Sequence, residues 1–163
     1  MKLPQLIVMD AGYVFSANGR DVEESAETLI NICTHAEIPL YLTGTGFECV
    51  RIPQKVQERI KGIYRIKHCS DALWYQLQVQ HRLKSPAMLR VSANQSHRVL
   101  ARNFGMTPVA VADTLVNHLG YCFETSLHTD KDHIFSDMDA FVHALAARLN
   151  AAADYFHRAP IAA

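Results

Sequence analysis

No run of apolar residues in this chain is long enough to cross a membrane, neither charge sign is in excess, and no two cysteines form a C-x-x-C pair. The longest apolar stretch near the start is too short and too weakly flanked for a signal peptide or a membrane span. Sixteen lysines and arginines balance sixteen aspartates and glutamates. The basic face that nucleic acid or an anionic membrane selects is therefore not expected. Even the basic-looking stretch RIPQKVQERIKGIYRIK is sparse, and its mixed charge reads as a solvated face. Cys33, Cys49, Cys69 and Cys122 are scattered and read as reduced, mostly core thiols. Internal repeats, low-complexity tracts and linkers are missing too. What remains is a cytoplasmic protein of 163 residues, about half of them hydrophobic, with one core and one domain.

Strand-length apolar runs alternate with helical patterns along the chain. Residues 5–10 form a continuous apolar run closed by Asp10, as expected of a strand buried on both faces. Asn18-Gly19 signals a tight hairpin. Val22, Ala26, Leu29, Ile30 and Cys33 recur at helical spacing and predict a helix over 22–36. IPLYLT is a second strand ending at Thr43, followed by a helix with Val50, Val56 and Ile60 that Pro53 interrupts. GIYRIK is a third strand ending at Lys67, and Ser70 can cap the helix of Leu73, Trp74 and Leu77. AMLRVS, the fourth strand, ends at Ser92; a helix with Val99 and Leu100 follows and stops at Gly105. TPVAVAD is the fifth strand. Ser136 with Asp139 resembles a capping box for a last helix bearing Met138, Phe141, Val142, Leu145 and Leu149. Residues 151–163 read as a fraying tail of the single domain, 1–163.

Strands alternating with helices predict a parallel sheet covered on both faces. Ligands of such sheets bind beyond the carboxyl ends of the strands. Asp10, Thr43, Lys67 and Ser92 each end a predicted strand, so a carboxylate, two hydroxyls and an ammonium converge on one edge.

This arrangement resembles the haloacid dehalogenase-like (HAD) superfamily. LIVMDAGYVF is similar to its first motif, a hydrophobic strand ending in a nucleophilic aspartate. IPLYLTGTG resembles the second motif, where a Ser or Thr binds the transferred group. KHCSDALWYQLQ resembles the third, with Lys67 as its lysine, and MLRVSANQSHRVLARNFGMTPVAV the fourth. The Asn18-Gly19 hairpin falls where the family places its flap. The resemblance implies an α/β, Rossmann-like three-layer sandwich without a cap domain, built on a five-stranded parallel sheet of order 5-4-1-2-3. It implies a hydrolase in which Asp10 attacks a phosphorylated or halogenated substrate, small or macromolecular. Asp10, Thr43 and Lys67 would be catalytic, and Ser92, Asn94, Gly12 and Gly44 would bind substrate.

Two family acids are missing. Family phosphatases read Asp-x-Asp at the first motif; the second position here is Gly12. Their fourth motif supplies a metal-binding Asp; its counterpart here is Ala93, within VSAN. The cofactor is then either none or Mg²⁺ held by Asp10 with Asp113, which ends the next strand. A phosphate dianion about 4 Å from Asp10 costs about 4 kcal/mol per charge pair at an effective dielectric near 20. Mg²⁺ normally offsets this, and Lys67 alone offsets only part. The 2-haloacid dehalogenase branch attacks uncharged carbon and lacks both acids. Its first motif begins Asp-Ala and its fourth reads V-S-S-N, similar to Val91-Ser92-Ala93-Asn94. By that match the acid that activates water falls at His97, which can also take a proton. That branch carries a large helical cap between its first two motifs, whereas the helix at 22–36 uses most of the chain between Asp10 and Thr43. Capless members tend to act on large substrates or on other proteins.

Each residue also has a structural reading. Ser92 and Asn94 can shape a strand-to-helix turn, Lys67 can be a solvated strand end, His97 a surface helix residue, and Gly12 a source of backbone freedom. His118, Cys122, His128, Asp130, Asp132 and His133 match no structural zinc spacing and read as a polar loop. A nuclease that clusters acids at strand ends would want an acid where Thr45 stands. Two functions stay open: a hydrolase with Asp10 as nucleophile, or a HAD fold without chemistry that binds or regulates a protein partner. Nucleic acid and membrane are not expected partners, and oligomeric state is not legible.

Overall fold

The computed structural model describes residues 3–15, 21–65, 71–111 and 133–158. Six strands appear among them: β1 (Leu6–Asp10), β2 (Leu40–Gly44), β3 (Gly62–Arg65), β4 (Met88–Val91), β5 (Thr107–Val111) and β6 (His133–Phe135). The helices are α1 (Glu24–His35), α2 (Gly46–Val50), α3 (Gln54–Gln57), α4 (Asp71–His81), α5 (Gln95–Phe104) and α6 (Met138–Arg158). A 3₁₀ turn, Ala11–Val14, follows β1 directly. No described helix is long and apolar enough to cross a membrane.

All neighbouring strands pair in parallel, in the order β3-β2-β1-β4-β5-β6. The expected five-stranded sheet of order 5-4-1-2-3 is therefore corrected to six strands. The additional strand, β6, joins the edge through β5, with Val109 opposite His133 and Val111 opposite Phe135. It is three residues long and Ile134 is half exposed. A short edge strand held by backbone hydrogen bonds has no need of an apolar run, so the polar stretch that leads into it reads as loop.

β1 is apolar throughout because both its faces are covered. Ile7 and Met9 join one buried cluster with Leu29 and Ile30 of α1 and Phe141 and Leu145 of α6. Leu6 and Val8 join a second with Trp74 and Leu77 of α4 and Ala101 of α5. Alternation along the strand sends successive side chains to opposite layers. Burial of these side chains is the main stabilising term, about 1.5–3 kcal/mol for each fully buried large aliphatic or aromatic group.

Helix ends differ from expectation in detail. The helix expected over 22–36 is α1, with Glu23 at its N-cap. Pro53 caps α3 and separates it from α2. α6 is capped by Asp137, whose Oδ1 accepts from the Ala140 backbone N–H at 2.8 Å, and not by the expected Ser136–Asp139 pair. A carboxylate one residue nearer the first turn wins the orphan amide. α6 runs through Arg158, into the segment that reads as a tail. Phe15 and Val22 form an isolated antiparallel bridge; the expected Asn18-Gly19 hairpin lies outside the described residues, as does Ser70. Among the described residues, the stretch between β1 and β2 holds the 3₁₀ turn and α1, and that between β2 and β3 holds α2 and α3.

α5 ends at Gly105, which takes φ +95° while its N–H bonds Arg102 O. A Cβ there would also come within 3.3 Å of Ser85 Cβ. Gly105→Ala is expected to lower stability by about 1 kcal/mol, and Gly105→Asn by less, because Asn tolerates the left-handed region. Denaturant midpoints of the two variants check this ordering.

Candidate active site

Asp10 ends the central strand, and its Cα lies opposite Thr43 of β2. On its other side Val8 pairs with Arg90 of β4. Facing residues of parallel strands project to the same layer, and residues two apart share it. Asp10, Thr43 and Arg90 thus lie on the α4–α5 side of the sheet.

Arg90 has no solvent exposure. Its Nη2 donates to Asp10 Oδ1 at 2.5 Å. Its Nη1 donates to the carbonyls of Val91 at 3.1 Å and Val8 at 3.4 Å. The Trp74 ring lies 5.8 Å from the guanidinium carbon. The second carboxylate oxygen, Oδ2, accepts from Ser92 Oγ. Ser92 is itself fixed, since its Oγ accepts the Asn94 N–H at 3.0 Å. His97, in the first turn of α5, completes the group: Arg90 Nη2 donates to its Nδ1 at 3.2 Å, and that nitrogen is 3.7 Å from Asp10 Oδ1.

Burial is the strongest influence on the Asp10 carboxyl and by itself favours the neutral acid. The Arg90 guanidinium, then the neighbouring His97 imidazole and the Ser92 hydroxyl, all favour the carboxylate. Together they prevail and hold it below the usual carboxylate range. About a quarter of the Asp10 side chain remains exposed. The arrangement is a partly accessible carboxylate, held ionised below the usual carboxylate range, whose countercharge lies beneath it.

The expected site residues divide into three groups. Asp10, Ser92 and His97 meet, and Thr43 lies level with Asp10. The Thr43 side chain is buried and its Oγ1 has no hydrogen-bond partner. Asn94 serves α5 instead: its Oδ1 accepts from the N–H groups of Ser96 at 2.9 Å and His97 at 3.4 Å, which sets His97 in place. Gly12 sits in the 3₁₀ turn, where its carbonyl accepts from Phe15 N. A Cβ at Gly44 would come within 2.6 Å of Glu48 Oε2 and 3.1 Å of Ala11 Cβ, so glycine lets the β2–α2 turn close against the turn after β1. Lys67 and Asp113 lie outside the described residues, as do His118, Cys122, His128, Asp130 and Asp132. His133 begins β6.

The residue that the sequence reading passed over is Arg90. Its signal was present: an arginine in the middle of AMLRVS, a strand otherwise apolar, has to find a buried anion. Arg98 is a second such case, 2% exposed, with Nη1 donating to the carbonyls of Ser92 at 2.9 Å and Ala93 at 2.8 Å.

No family model matches the sequence, and no curated protein matches it. Solved structures do. D,D-heptose 1,7-bisphosphate phosphatase from B. bronchiseptica, complexed with magnesium and phosphate, superposes with a TM-score of 0.64 at 13% identity, covering 90% of this chain and 99% of that one. A HAD-superfamily hydrolase from Ehrlichia chaffeensis gives 0.63 at 8% identity, over 92% and 100%. The cobalt-bound deoxy-D-mannose-octulosonate 8-phosphate phosphatase from Haemophilus influenzae gives 0.60 at 15% identity, over 91% and 90%. The chain has the fold of the HAD-superfamily hydrolases.

Two of these HAD-fold structures carry a divalent cation, and the described residues around Asp10 do not fit one. Such an ion takes several oxygen ligands, usually including more than one carboxylate or phosphate. Asp10 is the one carboxylate described here, its two oxygens accept from Arg90 and Ser92, and Gly12 and Ala93 offer no acid. Among the described residues no group of three or more His, Cys, Asp or Glu side chains could hold a metal. A dication about 4 Å from the guanidinium would meet a repulsion of about 8 kcal/mol at an effective dielectric near 20.

Removing Asp10 strands a buried guanidinium. Asp10→Ala is expected to lower stability by about 3 kcal/mol, and a denaturant titration reads the loss. The sign of the acid dependence follows from the depressed carboxyl. Its contribution is complete above the ordinary value of 3.8 and is lost as pH falls below that through the folded-state value. Melting points measured downward from pH 5 should therefore drop less steeply in Asp10→Ala than in the native chain.

Proposed function

We propose that the chain is a HAD-type hydrolase whose nucleophile is Asp10, acting on a phosphorylated or halogenated substrate. The observation that supports this best is the carboxylate itself: ionised, partly exposed, at the carboxyl end of the central strand, with Ser92 and His97 beside it. A carboxylate oxygen of Asp10 attacks carbon or phosphorus, the leaving group departs with the bond pair, and an aspartyl ester or acyl phosphate forms. Water then attacks that intermediate. The proton of the water passes to His97 Nδ1, which exchanges its contact with Arg90 for it, the product leaves, and the carboxylate is regenerated. Thr43 supplies a hydroxyl that otherwise wastes its hydrogen bond, and Lys67, by the family resemblance, adds positive charge for the leaving or transferred group. With no cap among the described residues to close over it, the site suits a large or macromolecular substrate better than one that must be sealed from water.

A second reading has its own support. Both oxygens of Asp10 already accept hydrogen bonds, as they would in a HAD fold kept for binding or regulating a partner.

Single-turnover reaction in ¹⁸O-water separates the two. Halide release from a 2-haloacid should place one ¹⁸O in the peptide that contains Asp10, because water attacks the ester carbonyl; phosphate release from an aryl phosphate should place it in the phosphate, because water attacks phosphorus; in either case Asp10→Asn should abolish turnover. Silence with every probe, and no label in Asp10, would leave the binding reading. Thr43→Val is expected to be neutral or stabilising by up to about 1 kcal/mol, because the hydroxyl it removes is unpaired, while lowering turnover about tenfold or more. Melting and kinetics of this one variant check both halves.

A further inference from the structure

We propose that the Arg90 side chain fills the charge position that a divalent cation would need beside Asp10, so that this centre runs on an internal guanidinium and excludes a metal. Catalytically the inference rests on Asp10 being the nucleophile; electrostatically it stands by itself. Arg90 has no exposure and touches no substrate, so it is a positioning residue acting through Asp10.

Three features carry it. First, the guanidinium is clamped: Nη1 spans the carbonyls of Val8, on the neighbouring β1, and of Val91, the next residue of its own strand, and Nη2 reaches Asp10 Oδ1 at 2.5 Å. Such a fork fixes direction as well as charge. Second, the surroundings seal it. α4 presents Trp74, α5 presents His97, and β2 presents Thr43 on the same layer. Arg90 and His97 are the charged or titratable groups that face Asp10 among the described residues. Third, the chain lacks carboxylates at Gly12 and Ala93, and the countercharge required by Asp10 is already present. A cation and a guanidinium compete for one carboxylate, and the covalently attached one is always in place.

The test compares the native chain with Arg90→Lys, Arg90→Gln and Asp10→Asn/Arg90→Gln, each melted with EDTA and with millimolar Mg²⁺, and each assayed for turnover under both conditions. The native chain is expected to show no response to Mg²⁺ in either measurement. Arg90→Gln, which frees the carboxylate, should melt lower than the native chain and regain about 3 °C in Mg²⁺. The double variant should lose that gain. Arg90→Lys keeps the charge and should stay indifferent to Mg²⁺. Mg²⁺ stabilisation of the native chain, or an Arg90→Gln protein blind to Mg²⁺, would overturn the proposal. Should Arg90→Gln fail to fold, the native and Arg90→Lys arms decide it, since a Mg²⁺ response in either counts against it. Absence of turnover in every arm defeats the hydrolase reading alone, because the melting data judge Arg90 without it.

Discussion

A guanidinium with no access to water must meet an anion, and in this fold the anion is Asp10. Much of the molecule is arranged to make that meeting work. β1 and β4 have to be neighbours so that Arg90 lies one pair below Asp10. Trp74 of α4 has to cover the guanidinium from the side, and the first turn of α5 has to bring His97 over it. Ser92 takes the remaining oxygen. The pair joins the centre of the sheet to the loop after β4, and the edge where chemistry would occur is stiffened from beneath.

The strands themselves were legible, their ends to within a residue at Asp10, Gly44 and Val91. LIVMD, IPLYLT, AMLRVS and TPVAV are apolar because helices cover both faces of the sheet, and buried parallel strands leave that trace in any sequence. Gly105 announced the end of α5 because only a residue free of steric penalty takes φ +95°. Other elements leave weaker traces. β6 depends on backbone pairing with β5 and exposes Ile134, so its three residues carry no period. Asp137 displaced Ser136 as the cap by one position, within the error that any reading of helix ends carries.

At the site, the sequence pointed to Asp10, Thr43 and Ser92 because each follows directly on an apolar run. His97 depended on the motif match, and its approach to Asp10 follows from the α5 cap at Asn94. Arg90 escaped notice because a pattern search follows what resembles a family, whereas this residue is an exception to the apolar pattern of its own strand. Buried charge is the more physical signal: its desolvation has to be met by a partner, and here the partner is the carboxylate proposed as the nucleophile.

Arg98 gives the last consequence. By gripping the carbonyls of Ser92 and Ala93 it makes the loop after β4 a fixed bracket, which would present any side chain placed at position 93 in one direction. An acid introduced at 93 or 12 would therefore arrive where the local charge is already neutral, and would gain nothing while the guanidinium stays. Replacing the arginine first would leave the aspartate without its countercharge. Neither order of single steps is downhill, so a lineage that acquired this pair would find its way back to ion dependence blocked from both directions.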